Sequence, residues 1–268
     1  MVTMAVAGVS GRMGRMLVDR IDATEGATLA AVLERPGHDW IDADLGTALG
    51  GRPRGLVVGS DTDAALDAAE VLVDFTAPAA TVAFAQAAAR LGRGHVIGTT
   101  GFAPGDIEAI DAAAAAGATI VRAGNMSLGV NLLARVVEQV ARALGEGFDI
   151  EIVEAHHRHK VDAPSGTALM LGEAAARGRG VSLDAVADRG RDGMTGARRP
   201  GAIGFAAIRG GDIVGEHEVM FAGEGETIAL SHRATDRGLF ARGAVRAALW
   251  AADRPAGHYD MMDVLGLN

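Results

Sequence analysis

The sequence has 268 residues, enough for one large domain or two modest ones, each with a real core. Hydrophobic residues make up 49% and charged residues 22%, which excludes general disorder, and the absence of cysteine excludes disulfides, thiolate metal sites and a cysteine nucleophile. A net charge of −9 argues against nucleic acid as a general partner; no stretch approaches a membrane span and no signal peptide is evident, so a cytoplasmic protein is expected.

The first 125 residues alternate continuous apolar runs with helical patterns. Residues 3–8 (TMAVAG) predict a buried strand, 11–22 a helix opening on a glycine-rich turn, and 27–34 a second strand. Three more strands are predicted at 71–76, 94–100 and 118–125, with Ala-rich helices near 78–91 and 104–116 between them. This repetition predicts an α/β unit whose parallel sheet carries helices on both faces. The pattern then changes. A helix near 128–144 leads to a strand at 148–155 and to a helix starting near Ser165, while 178–200 is polar, rich in Gly and Arg, and predicts a long loop. Strands at 202–210, 212–223 and 226–234 follow, with RGGD and GEGE reading as hairpin turns, so this half predicts a mixed or antiparallel sheet. A helix at 238–252 and the tail DMMDVLGLN close the chain.

The stretch VAGVSGRMG (6–14) sets Gly8, Gly11 and Gly14 between a strand and a helix, a G-x-x-G-x-x-G variant of the dinucleotide fingerprint. Glycines let the backbone approach a pyrophosphate, and the helix N-terminus offers it N–H groups. The alternative is a tight strand–helix turn and nothing more. Glu34, 26 residues after Gly8, can hold the ribose hydroxyls of NAD. Arg35 can pair with the 2′-phosphate of NADP. The two residues pull cofactor choice in opposite directions and leave NADH and NADPH both open. VIGTTGF (96–102) and AGNMSLGVN (123–131) end two later strands, where small residues line a ligand crevice or serve as ordinary turns.

EAHHRHKVDAPSGTAL (154–169) holds three of the eight histidines and the only lysine among 25 basic residues. Arginine stays charged at any accessible pH, so a lysine kept here points to a proton that must leave. Strand parity would send Glu154, His156, Arg158 and Lys160 one way and His157 and His159 the other, for as long as the strand continues. Adjacent histidines rarely share a tetrahedral metal site, and no third or fourth ligand is near. The bland reading is solvated histidines beside a chance lysine. The sharper one is an anion-binding acid/base site. Ser165, Gly166 and Thr167 look like a helix start whose N–H groups and hydroxyls would take a carboxylate. Together with the nucleotide motif, this suggests hydride transfer to an unsaturated acid with more than one carboxylate, protonated by His or Lys.

In order along the chain, GVSGRMG, VLVDFT, GTTGF, NMSLGVN, EAHHRHKVDAPSGTAL, GAIGFAAIRGGDIVGEHEVMF and DVLGL resemble the 4-hydroxy-tetrahydrodipicolinate reductase (dihydrodipicolinate reductase) family over essentially the whole length. The resemblance implies a Rossmann-like dinucleotide-binding domain, 1–127 completed by 237–268. It also implies an inserted, smaller α+β substrate-binding and tetramerisation domain with a mixed sheet, 128–236. It implies NADH- or NADPH-dependent reduction of a small cyclic dicarboxylate in lysine biosynthesis, by a homotetramer whose domains close by hinge motion. Gly8, Val9, Ser10, Gly11, Arg12 and Met13 would hold the pyrophosphate. Glu34 and Arg35 would contact the adenosine ribose and any 2′-phosphate. Gly98, Thr99, Thr100, Ala123, Gly124, Asn125 and Met126 would line the nicotinamide side. His156 would be the proton donor and acceptor, and Lys160 a proton donor that also contacts substrate. His157, Ser165, Gly166 and Thr167 would bind substrate carboxylates. No metal is implied.

The departures from the pattern are few. Val9 and Ser10 stand where Gly or Ala is commoner, Met126 stands where Phe is frequent, and PGHDWIDAD after Arg35 is unusual in its proline and tryptophan. Two other readings remain. A related aspartate or other amino-acid dehydrogenase would share the first domain without needing HHRHK and PSGT. A nucleotide-sensing protein would be expected to lose the His156 and Lys160 pair.

Overall fold

A computed structural model describes residues 1–267; Asn268, the last residue of the predicted tail, lies outside the described residues. The chain divides into two compact units, Met1–Met126 with the segment from Gly238 onward, and Ser127–Arg237.

The first unit runs β1 (Val2–Ala7), α1 (Arg12–Asp22), β2 (Ala27–Leu33), α2 (Leu45–Ala48), β3 (Val58–Gly59), α3 (Thr62–Ala68), β4 (Val71–Asp74), α4 (Pro78–Leu91), β5 (Gly94–Ile97), α5 (Pro104–Ala115) and β6 (Thr119–Arg122). The second unit runs α6 (Leu128–Leu144), β7 (Asp149–His156), α7 (Gly166–Gly178), α8 (Leu183–Val186), β8 (Ala187–Asp188), β9 (Ile203–Arg209), β10 (Gly215–Ala222) and β11 (Thr227–Ala234). The chain then returns to the first unit with α9 (Gly238–Ala251), β12 (Gly257–Tyr259) and α10 (Met261–Leu265).

The first unit is a Rossmann-like sheet in the order β12-β6-β5-β4-β1-β2-β3, with every pair parallel. Its central strands are buried on both faces, which is why they read as unbroken apolar runs: Met4, Ala5, Val6, Val71, Leu72 and Val73 are all fully buried. Leu72 faces the side covered by α3, α4 and α5, with Ala5, Ile97 and Ile120 and with the helix alanines Ala65, Ala85, Ala88 and Ala113. Small alanines let those helices lie close on the sheet. Each large aliphatic side chain buried there contributes about 1.5–3 kcal/mol. The chain reverses direction across the sheet between β1 and β4, and the strand ends at this switch point open a ligand crevice in folds of this kind.

The second unit packs α6 and α7 against a five-stranded sheet in the order β11-β10-β7-β9-β8. The sheet is mixed: β7 pairs with β10 antiparallel and with β9 parallel. This overturns the hairpin expected at RGGD. β9 and β10 are not neighbours, because β7 lies between them, and residues 210–214 cross over the end of β7. Gly210 N–H donates to His156 O at 3.0 Å and Arg158 N–H to Gly211 O at 3.2 Å, so that crossover straps the His-rich turn. The GEGE hairpin forms as expected, with β10 and β11 in register.

Several expected boundaries shift. Predicted strands 71–76, 94–100 and 118–125 stop at Asp74, Ile97 and Arg122, so GTT and AGN are loops beyond strand ends. The expected loop 178–200 contains α8 and β8, and α2, β3, α3, β12 and α10 were not foreseen. These pieces are two to seven residues long, below the length at which periodicity is readable.

Candidate active site

In the first unit, the turn after β1 is shaped by its glycines. Gly8 has φ +67°, and a Cβ there would lie 2.9 Å from Thr76 Cγ2. A Cβ at Gly14 would lie 2.3 Å from Gly8 O, against backbone that cannot give way. Only glycines allow α1 to start so close beneath the loop, and such a cradle fits a dinucleotide pyrophosphate. Gly11 and Arg12 are exposed, Gly8, Ser10 and Met13 half-buried, and Val9 wholly buried, so Val9 can offer a ligand only its backbone.

Ser10, one of the departures from the family pattern, ties this loop to the end of β2. Its N–H donates to Glu34 Oε1 at 3.1 Å and its hydroxyl to the same oxygen at 2.7 Å. Arg35 N–H reaches Glu34 Oε2 at 3.1 Å. Burial pushes the Glu34 carboxyl up, but the Ser10 and Arg35 hydrogen bonds outweigh it and hold the group below the ordinary carboxylate range. Arg35 itself is exposed. The tryptophan of the unusual segment stacks under a cation, with Arg15 4.9 Å from the Trp40 ring centre while its Nε donates to Ser10 O.

The loops after β4 and β5 are joined through one buried carboxylate. Asp74 Oδ1 accepts from Thr76 N–H at 2.8 Å and Thr76 Oγ1 at 2.6 Å, and Oδ2 accepts from the Thr81 hydroxyl. Thr99 Oγ1 accepts from Thr76 N–H at 3.0 Å. Burial pushes Asp74 up, but His95 and these hydroxyls hold it ionised. Gly98 has no room for a side chain, since a Cβ would lie 2.2 Å from the Phe75 ring. Thr100 and Gly124 are exposed, Ala123 and Asn125 half-buried, and Thr99 5% exposed. Met126 is a core residue, 1% exposed, with its carbonyl oxygen lying where a Cβ of Gly243 would fall.

In the second unit, β7 ends at His156, so the strand parity written through Lys160 stops there. Residues 157–160 turn, closed by Lys160 N–H donating to His157 O at 3.1 Å. The Lys160 ammonium pairs with Asp162 Oδ1 at 2.9 Å. His157 Nε2 lies 3.4 Å from Arg237 Nη2, and its Nδ1 is buried without a partner. Burial, then Arg237 and the neighbouring His156, His159 and Lys160, lower the His157 pKa. The histidines do not converge on a common point: His157 and His159 lie 6.3 Å apart, ring to ring, while His156 faces His217 edge-on at 5.1 Å.

Helix α7 begins where the sequence indicated. Ser165 caps it, its hydroxyl accepting from Ala168 N–H at 3.2 Å. Gly166 at the first helical position is exposed and Thr167 half-buried. A helix of 13 residues thus turns its positive end to this region.

Four residues behind the turn were not assigned roles from the sequence. Glu154 is 1% exposed and accepts from both Arg209 amino groups, from Ser165 N–H and from His156 Nδ1. His217 Nε2 lies 3.0 Å from Ser165 Oγ. Arg237 stands beside His157. Arg209, His217 and Arg237 come from 52 to 80 residues along the chain from their partners, and no local spacing joins them. The only available signal was the position of Arg209 at the end of an apolar strand and of His217 on the same face as the buried Val219 and Phe221.

The fold recurs in known proteins. A solved structure described as dipicolinate-bound dihydrodipicolinate reductase from Paenisporosarcina sp. TG-14 superposes with a TM-score of 0.79 over 98% of each chain, at 24% identity. A protein of Roseobacter denitrificans named 4-hydroxy-tetrahydrodipicolinate reductase is 68% identical over 98% of this chain and 96% of its own. Namesakes from Dinoroseobacter shibae and Parvibaculum lavamentivorans are 63% and 56% identical, covering 98% and 99% of this chain and 97% and 98% of theirs. The model for the dihydrodipicolinate reductase N-terminus matches residues 2–126 and that for its C-terminus residues 129–265. Matched along both units and more than half identical to full-length relatives, the chain belongs to the dihydrodipicolinate reductase family.

Proposed function

We infer that the chain reduces 4-hydroxy-tetrahydrodipicolinate to tetrahydrodipicolinate with a nicotinamide dinucleotide, a step of the diaminopimelate route to lysine. Relatives matching almost its whole length carry that name, which favours this reaction over an amino-acid dehydrogenase. The observation that carries the reading is the pairing, in one unit, of an imidazole–lysine turn with a capped helix N-terminus.

The chemistry divides among the residues as follows. Loss of water from the 4-hydroxy ring leaves a conjugated dicarboxylate, which gains a hydride on one ring atom and a proton on another. Bound reduced nicotinamide supplies the hydride. The Gly8–Met13 turn would hold the pyrophosphate, and Gly98–Thr100 with Ala123–Met126 would border the nicotinamide. His156 delivers the proton. Lys160 exchanges Asp162 for the substrate, neutralises its charge and gives a proton to the 4-hydroxyl, which then leaves as water. One carboxylate lies against Gly166 and Thr167 at the start of α7. The other meets His157 with Arg237, the latter a residue the sequence did not single out.

Glu34 is folded onto Ser10 while Arg35 is free to meet a phosphate, and on this ground the enzyme uses both NADH and NADPH. The assembly is a homotetramer, supported by an outer face of the second-unit sheet that no helix of its own unit covers. Among the described residues no helix is long and apolar enough to cross a membrane.

The test is absorbance at 340 nm, with substrate made in place from pyruvate and aspartate semialdehyde by the preceding synthase. Oxidation of NADH and NADPH that depends on the synthase is expected. Lys160→Arg is expected to keep KM and lose turnover by about 100-fold or more, since arginine keeps the charge but gives up no proton. Native turnover in that variant would remove Lys160 from proton transfer, and no oxidation with either cofactor would overturn the reaction.

A further inference from the structure

We propose that Glu154 is the positioning residue for the proton donor: it holds His156 as the Nδ1–H tautomer and leaves Nε2 to exchange the proton, while Gly215 keeps that nitrogen uncovered. The proposal rests on the reading of His156 as donor.

The argument starts from the four hydrogen bonds to one carboxylate. Arg209 Nη2 donates to Oε1 at 2.7 Å and Ser165 N–H to the same oxygen at 3.0 Å. Arg209 Nη1 donates to Oε2 at 2.8 Å, and His156 Nδ1 lies 2.6 Å from that oxygen. Burial pushes Glu154 up, but the Arg209 and His156 hydrogen bonds outweigh it and keep the group ionised. An ionised carboxylate only accepts, so the hydrogen in the short contact belongs to Nδ1 of His156. Which nitrogen of a histidine is free to react is set in this way by the bond made by the other.

The carboxylate cannot easily turn to release the ring. Arg209 is itself anchored, Nη2 donating to Asp162 O at 2.6 Å and Nη1 to Ile208 O at 2.7 Å. The same Glu154 oxygen that meets Arg209 also meets the Ser165 N–H, so one side chain aligns the proton donor with the helix start that takes a substrate carboxylate.

At the other edge of the ring the observation is independent. A Cβ at Gly215 would fall 3.1 Å from His156 Nε2 and 3.5 Å from Cδ2. Any other residue at the start of β10 would crowd the nitrogen that Glu154 leaves free. The glycine has ordinary φ, so backbone strain does not explain it.

Replacing Glu154 by Gln puts an NH2 in place of one oxygen. At the Oε1 position that NH2 would face two donors, Arg209 Nη2 and the Ser165 N–H. At the Oε2 position it faces Arg209 Nη1 and His156 Nδ1, and the ring can answer by accepting. The tautomer then inverts and the hydrogen moves to Nε2.

The experiment is 15N NMR of the His156 ring in the full chain at about pH 9, above the ordinary imidazole range. His156→Asn identifies the signals, and steady-state kinetics run alongside. Native protein is expected to show a protonated Nδ1 and a bare Nε2. Glu154→Gln is expected to show the reverse, with kcat lower on the order of 100-fold, at the low end of what a placed acid contributes, and KM little changed. Gly215→Ala is expected to keep the native tautomer and lower kcat on the order of tenfold through displacement of Nε2. A native ring protonated on Nε2 overturns the proposal, whether or not the Gln variant folds. So does native turnover and tautomer in Glu154→Gln beside an inactive His156→Asn. Native turnover in His156→Asn itself would instead remove the donor reading, leaving the tautomer measurement to judge Glu154 as a ring anchor only.

Discussion

His217 sits under the site as a histidine that the fold keeps neutral. Burial, then the neighbouring His156, pushes it down to about 4, despite a favourable pull from Glu154; His232 and Lys160 also bear on it. Its Nε2 contacts the Ser165 hydroxyl and its Nδ1 has no partner, so a proton added there has nowhere good to go. The sign follows from proton counting. Unfolded chains bind a proton to this residue near 6.5 and folded ones only near 4, so stability falls as pH drops from about 6.5 toward 4. The full loss from this group is roughly 3 kcal/mol. Urea unfolding at pH 7 and pH 4.5 should show the native protein losing stability across that window, and His217→Gln should lose markedly less. Equal slopes in both proteins would mean that another group governs the acid limb. The residue scale also shows what a sequence displays and what it hides. Lys160 stood out because nothing else in the chain is lysine, and His156 was singled out from its neighbouring histidines only by the family resemblance. Arg209 was one arginine among 24, and Arg237 another; their importance lies in where strands and turns deliver them, which composition does not record.

Elements were readable where their burial was simple. β1, β4 and β5 are covered on both faces, and their apolar runs marked them directly. Their ends were overread because Gly8, Phe75 with Thr76, and the small residues of GTT follow the apolar runs without a strong breaker, past the last ladder pair. β9 and β10 misled for a different reason: RGGD has hairpin chemistry, yet β7 carries the parallel pairing with β9 and fills the place between them. Turn residues report local bending, whereas strand order is decided by which apolar faces find α6 and α7. The loop after β5 gives a test at this scale. Gly98 packs on the Phe75 ring, and a Cβ there would lie 2.2 Å from it, so one of two adjoining strand-end loops must shift. Gly98→Ala is expected to lower stability by about 1–3 kcal/mol from overpacking and to weaken NADH binding, read by denaturant unfolding and by nucleotide fluorescence titration. Unchanged affinity would show that this loop does not border the nicotinamide.

At the scale of the whole molecule, the sheet of the second unit has one face under α6 and α7 and the other without a covering element of that unit. On the uncovered face Ile208 is 53% exposed, and Ala206 and Ala229 are exposed too, with Val153 and Met220 half-buried beside them. They do not stand alone on it: Val153 lies between Ala206 and Glu218, Met220 between Ala229 and Glu151, and Ala155 between Ile208 and Glu216, so apolar and acidic residues alternate across the strands. Two of those carboxylates are paired on the same face, Glu216 with Arg233 at 3.0 Å and Glu151 with Arg198 at 2.8 Å. A second sheet stacked on this face, at a spacing of about 10 Å, would bury its exposed apolar residues. Nothing in strand periodicity announced this, because an open antiparallel face and a face covered by another copy give the same alternation. The tetramer reading makes Ile208 its test. The native chain is expected to sediment as a tetramer, and Ile208→Asp, which puts an unpaired charge on that face, to sediment as a smaller species with its far-ultraviolet circular dichroism retained. A native chain that sediments as a monomer would end the tetramer reading, and a tetramer that survives Ile208→Asp would move the interface to a different surface.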